Sequence, residues 1–191
     1  MFTFNVKMIL LLLIMLVAGC NSQDQKQSPK QVEEKQMESF YLKADAFHEG
    51  DMIPVKFTCQ GEDVSPQLQW GHVPEGTESF ALICDDPDAP MGTWVHWVVY
   101  NIPADYTGFT EGMGNKQELP DGIQQGVNDF GNTNYGGPCP PPGAPHRYYF
   151  KLYALDTLTD FKAGLTKSEL LNQIESHIIA KTELMGKYRR K

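Results

Sequence analysis

Three apolar runs limit what this chain can fold into more than any other feature. Residues 78–84 (ESFALIC) form an apolar run bounded by turn formers. Residues 93–101 (TWVHWVVYN) are rich in β-branched and aromatic side chains and are closed by Ile102-Pro103. Residues 147–155 (RYYFKLYAL) set Tyr148, Phe150, Leu152 and Ala154 on one strand face and Tyr149, Lys151, Tyr153 and Leu155 on the other. Runs of this kind read as strands with at least one buried face. Residues 53–57 and 67–70 are shorter candidates. The expected class is therefore all-β.

One helix stands out against this pattern. Thr166 and Glu169 have capping-box spacing, and Leu170, Leu171, Ile174 and Ile178 follow at helical intervals. The spacing predicts a helix over residues 167–180, with His177 a core or boundary residue, and a second helical turn over 182–185. Between Pro103 and Pro145 lies a long connection rich in glycine and proline. A connection of that length in a compact domain carries function or structure of its own. Its last stretch, residues 135–148 (YGGPCPPPGAPHRY), is stiff, because proline presets φ and removes donors.

The N-terminus points to export. Residues 8–18 (MILLLLIMLVA) are an apolar run preceded by Lys7. It is shorter than the roughly 20 residues of a membrane span and suits the core of a secretory signal. The run ends in Leu16-Val17-Ala18-Gly19-Cys20, which resembles the bacterial lipobox, where a diacylglycerol is attached to the cysteine thiol. The expected division is a signal over 1–19, lipidated Cys20 with a flexible tether over 20–39, and a folded domain over 40–191. The tether composition, NSQDQKQSPKQVEEKQMES after Cys20, cannot bury enough apolar surface to fold alone. It would hold the domain roughly 25 Å from the membrane on average. Localisation follows: the outer membrane in a Gram-negative cell, the outer face of the plasma membrane in a Gram-positive one.

Charge narrows the partners. Residues 1–39 carry Lys7, Lys26, Lys30 and Lys35 against Asp24, Glu33, Glu34 and Glu38, so the formal net charge of −8 falls wholly on the domain. An acidic domain repels phosphate backbones, which argues against nucleic-acid binding. The basic end, Lys187 to Lys191, reads as a solvated tail.

Three polar clusters carry candidate chemistry: Asp85-Asp86-Pro87-Asp88 after the first apolar run, His96 inside the second, and His146-Arg147-Tyr148 at the head of the third. Each alone has a structural reading as a turn, a core histidine or a strand edge. Together, 86–90 (DPDAP), 96–103 (HWVVYNIP), 137–141 (GPCPP) and 146–148 (HRY) resemble the phosphatidylethanolamine-binding protein family, closest to its bacterial and archaeal, Raf kinase inhibitor-like branch. Further likeness lies in 57–62 (FTCQGE), Ser65-Pro66, 128–131 (NDFG) and 184–190. It covers essentially the whole domain.

The resemblance implies a large antiparallel sheet, a smaller sheet packed on it and peripheral C-terminal helices. It also implies a small anion pocket formed by Asp86, His96, His146 and Tyr148, with Asp88 and the Gly137-Pro138 backbone beside them. Two imidazoles and a phenol can donate to phosphate oxygens. A carboxylate can orient a histidine or accept from an ammonium. The ligand would be small and anionic or zwitterionic, of phosphate or phosphoethanolamine type. Asp86 is the expected partner of His96, raising its proton affinity. Cys59 and Cys139 lie in turn-rich segments of the matching motifs and are the candidate disulfide, two free thiols being the alternative; Cys84 reads as a buried thiol. No cofactor or resident metal is implied, and no catalytic motif is present. The leading expectation is a binding or regulatory module. Alternatives are a protease or kinase inhibitor acting through the pocket rim, and a metal-dependent hydrolase using Asp86, Asp88, His96 and His146.

Overall fold

The computed structural model describes residues 39–190; the expected signal, Cys20 and nearly all of the tether lie outside them. The apolar runs become neighbouring strands of one antiparallel sheet. β3 (Ser79–Asp86) is flanked by β4 (Trp94–Pro103) and β7 (His146–Leu155). The two-residue strand β6 (Gln124–Gln125) pairs with β4, and β8 (Ile178–Tyr188) pairs with β7, giving the order β6-β4-β3-β7-β8. A smaller sheet orders β1 (Tyr41–Ala44), β2 (Leu68–Gly71) and β5 (Gly108–Phe109).

Every residue of β3 is buried, because both faces of the large sheet are covered. Phe80, Leu82 and Cys84 face a core shared with the small sheet, where Trp70 stands edge-on to Phe80 and Phe109 at 5.8 and 5.2 Å. Ala81 and Ile83 face a second core closed by the single α-helix among the described residues, α1 (Lys167–Ile174), through Leu170 and Ile174. Burial on two faces explains why this strand reads as a continuous apolar run rather than an alternating one. The capping box at Thr166 and Glu169 forms as the spacing predicts.

Three expectations are corrected. The helix stops at Ile174, passes through a 3₁₀ turn (Glu175–His177), and the chain enters β8 at Ile178. Residues 182–185 are strand, so the plural peripheral helices reduce to one short helix. His177 stands at the boundary, half exposed, as expected, and hydrogen-bonds Asp156 through Nδ1 at 2.9 Å. Residues 53–57 hold a 3₁₀ turn (Val55–Phe57), not a strand. Competing pairing explains the first two: β8 matches β7 over ten positions, from His146 with Tyr188 to Leu155 with Ile178. A ladder of ten pairs outweighs a marginal helical turn. The basic end is correspondingly shorter, since Lys187 and Tyr188 complete β8 and Tyr188 is buried.

The long connection from Pro103 to Pro145 contains β5, a 3₁₀ turn (Met113–Asn115) and β6. Its last stretch returns to the head of β7, beside the turn at Cys59, to which Cys139 is joined by a disulfide.

Candidate functional site

The site lies where three strand ends meet. Alternation places Asp86 on the face of Phe80, Leu82 and Cys84, and His146 on the face of Tyr148, Phe150 and Leu152. β3 and β7 are neighbours, so Asp86 and His146 meet directly: His146 Nδ1–H donates to Asp86 Oδ2 at 2.8 Å. The other Asp86 oxygen accepts the backbone N–H of Asp88 at 2.8 Å, closing the Asp-Pro-Asp turn.

His96 arrives by a different device. Cys84 pairs with Trp97 and Asp85 with Val95, leaving His96 as the extra residue of a β-bulge. The bulge takes His96 out of strict alternation and turns it toward Tyr148, whose ring stands edge-on to the imidazole at 5.1 Å. His96 Nδ1–H donates to the Gly136 carbonyl at 2.6 Å, so that its Nε2 carries the lone pair when the ring is neutral. Burial pushes the His96 pKa below its ordinary value, against the opposing pull of the Gly136 carbonyl and Asp86. The expected Asp86–His96 pair is therefore corrected. Asp86 is taken by His146, and His96 is harder to protonate, not easier.

Asp86, His96, His146 and Tyr148 line one cavity of about 360 Å³. Its outer walls are apolar: Pro90, Met91, Trp94, Phe130, Pro140 and Pro141. The Tyr148 hydroxyl is fully buried beside the Asp86 carboxylate and makes no hydrogen bond of ordinary length among the described residues. Burial, and then the nearby Asp86 charge, push its pKa far up, so it remains a phenol and a donor.

The remaining expected residues sit at the margin. Asp88 is held by Arg147, whose Nε and Nη2 donate to its two oxygens at 2.9 and 2.6 Å. That fork lowers the Asp88 pKa to about 2. Gly137 donates its N–H to Asp63 Oδ1 at 2.8 Å and faces a neighbouring cavity of about 280 Å³, while the Pro138 carbonyl accepts from Cys59 N–H at 3.3 Å. Neither lines the main cavity. The sequence reading did not assign Met91, Trp94 and Phe130 to the walls. For Phe130 a signal existed: Asn128 is a buried Asx-type organiser whose Oδ1 accepts from the N–H of Phe130 and Asn132, presenting the ring. Among the described residues, no three His, Cys, Asp or Glu side chains are placed to hold a metal ion.

Comparison with known proteins agrees with this architecture. Residues 43–189 match the family model described as phosphatidylethanolamine-binding protein. A UPF0098 protein of Methanothermobacter thermautotrophicus is 50% identical over 149 residues, covering 78% of this chain and 98% of its own. One from Aquifex aeolicus is 45% identical over 147 residues, 76% and 85% of the two chains. Among solved structures, a phosphatidylethanolamine-binding protein homologue from Chlamydia trachomatis superposes with a TM-score of 0.73 at 41% identity, covering 80% of this chain and 99% of that one. YbcL of E. coli, described as a member of the mammalian family, gives 0.76 at 36% identity, with 81% and 100% covered. From β1 to the end of β8, this chain belongs to the phosphatidylethanolamine-binding protein family.

Proposed function

We propose that this protein is a lipid-anchored envelope binding module whose cavity takes a small anionic or zwitterionic ligand of phosphate or phosphoethanolamine type. The observation that carries the reading is the cavity wall where Asp86, His96, His146 and Tyr148 converge, with the buried Tyr148 hydroxyl short of an ordinary hydrogen bond. Such a group is costly to bury unless something accepts from it. A phosphate oxygen would accept. Neutral His96 offers the opposite polarity at Nε2, a lone pair that wants a donor, as does the Asp86 carboxylate. A cavity that offers acceptors as well as a donor suits a zwitterion better than a bare dianion. The name of the family fits that chemistry.

Calorimetry with inorganic phosphate and with phosphoethanolamine tests this at about pH 5.5 and 8. Protonating His96 turns its Nε2 into a donor, so phosphate binding should strengthen as the pH falls. Tyr148→Phe should weaken both ligands by roughly 1–3 kcal/mol, and His96→Ala should flatten the pH dependence. Unchanged binding in both variants would remove the cavity from the function.

The anchor rests on the apolar run over 8–18 and the Leu-Val-Ala-Gly-Cys junction. Intact mass of the mature protein should begin at Cys20 with added acyl mass, and Cys20→Ser should leave the precursor uncut. Correct cleavage of that variant would reject the lipoprotein reading.

The inhibitor reading has one observation in its favour. Met91 is 92% exposed and Phe130 44% exposed at the mouth, an apolar rim that could dock a protease or kinase loop. Inhibition assays against envelope proteases, with Met91→Ser beside the parent, test it. Nothing in the geometry favours the hydrolase reading, since Asp86 and His146 satisfy one another and Asp88 is committed to Arg147.

A further inference from the structure

The wall of the cavity that leads into β7 is held in an unusual way. Residues 139–145 (CPPPGAP) make no hydrogen bond among the described residues. Four of the seven are prolines, which have no N–H to give. Residues 141–145 are all exposed. Upstream, the backbone is fastened by Gly136 N–H to the His96 carbonyl at 3.0 Å and by the Pro138 carbonyl to Cys59 N–H. Downstream, it is fastened again at Arg147, whose N–H donates to Asp88. Between those points the firm tie is covalent, the bridge from Cys139 to Cys59. Cys139, Pro140 and Pro141 line the cavity, so the bridge anchors part of its wall.

The bridge is also within reach of other molecules. Cys59 is exposed and Cys139 half-buried. Cys84, the other described cysteine, is fully buried, and burial drives its thiol pKa well up, which keeps it out of exchange.

We propose that the Cys59–Cys139 bridge is a thiol-exchange site, and that its opening by a dithiol releases the proline wall and lowers the affinity of the cavity. The inference rests on the cavity being a ligand pocket. A dithiol thiolate attacks Cys59 Sγ. A new S–S bond forms to Cys59, the Cys59–Cys139 bond breaks, and Cys139 leaves as a thiolate that takes a proton. The second thiol of the dithiol then displaces Cys59. The dithiol is oxidised to its disulfide, and the protein gains two electrons and two protons. Exposed bridges react in this way more readily than enclosed ones. The ligand then has to order a loose loop on binding, which costs affinity.

The test treats the intact, oxidised protein with dithiothreitol under native conditions. Alkylation and mass mapping should find new thiols at Cys59 and Cys139 while near-ultraviolet circular dichroism is kept. Backbone order parameters of Gly143 and Ala144 should fall. Affinity for inorganic phosphate and for phosphoethanolamine should drop about tenfold, an effect of the size expected for re-ordering a short loop. The double variant Cys59→Ser, Cys139→Ser should bind as weakly as the reduced protein and ignore dithiothreitol. A bridge that resists dithiothreitol until the protein unfolds would overturn the proposal, as would unchanged affinity and unchanged order parameters after opening. Failure of the oxidised protein to bind either probe would strike the pocket reading instead, and the order parameters would still report whether the bridge governs the wall.

Discussion

Asp85 and Asp86 are adjacent in sequence and lead separate lives. Asp86 looks into the cavity and is joined by His146. Asp85 looks to the opposite face of the sheet, is fully buried, and is clamped by Lys151 and Lys167 at 2.6 and 2.5 Å. Alternation makes this separation legible from the sequence, as it does the shared face of His146 and Tyr148. Periodicity alone does not place His96, because a bulge leaves no mark in an apolar strand; only the family resemblance put it in the pocket. Its partner was not legible: ten positions of sequence separate Asp86 from His96, yet the neighbour across the sheet, sixty positions away, takes the carboxylate. Charge at the site sets a pH dependence. The Asp88 pKa is depressed to about 2 by Arg147, so its stabilisation is present above the ordinary carboxylate range and is lost as the pH falls toward 2. Burial lowers the His96 pKa, so the unfolded chain binds that proton more readily, and stability falls below the ordinary histidine range. Both act in the same direction. The thermal midpoint should hold from about pH 8 to 7 and decline steadily into acid, and a midpoint rising between about pH 6 and 3 would contradict both assignments.

At the scale of elements, β8 is where sequence pattern and structure part most. Its sequence offers a short helical spacing, and the same residues also alternate: Ala180, Thr182, Leu184, Gly186 and Tyr188 stand on one face. Buried Leu184, Gly186 and Tyr188 turn to the core, while Lys181 and Glu183 stay outside. Period two was present, but the preceding helix extends the helical pattern into it, and only pairing with β7 decides between them. Gly186 shows how closely this strand is applied. A Cβ there would lie 2.5 Å from Ile53 Cγ1 and 2.8 Å from Phe47 Cε2, both in buried side chains. Gly186→Ala should therefore destabilise by roughly 1–3 kcal/mol, the usual effect of overpacking, measured as a lower urea midpoint at unchanged slope. A neutral result would mean that residues 47–53 give way easily. Other elements were plainer. β3, β4 and β7 come within a few residues of their apolar runs, since burial on one or both faces writes itself into composition. The 3₁₀ turn (Val55–Phe57) did not, its β-branched start mimicking a strand.

For the whole molecule, the fold class, the two sheets and the convergence of distant strands were foreseen; the walls of the cavity were not, because they come from a loop whose course no periodicity describes. The architecture has one further consequence. β3 is the common partition between two hydrophobic cores, one shared with the small sheet and one closed by α1. Neither core can melt without exposing a face of that strand, so the two cannot come apart as independent cooperative units. In native-state hydrogen exchange, the amides of Phe80, Ala81, Leu82 and Ile83 should exchange only through global opening. Their opening free energies should match those of Phe150 and Leu152 across the ladder. Amides of α1 exchanging with a distinctly smaller free energy would mark that helix as a detachable lid on the second core. The expected outcome is that a probe placed in either core reports the same unfolding event.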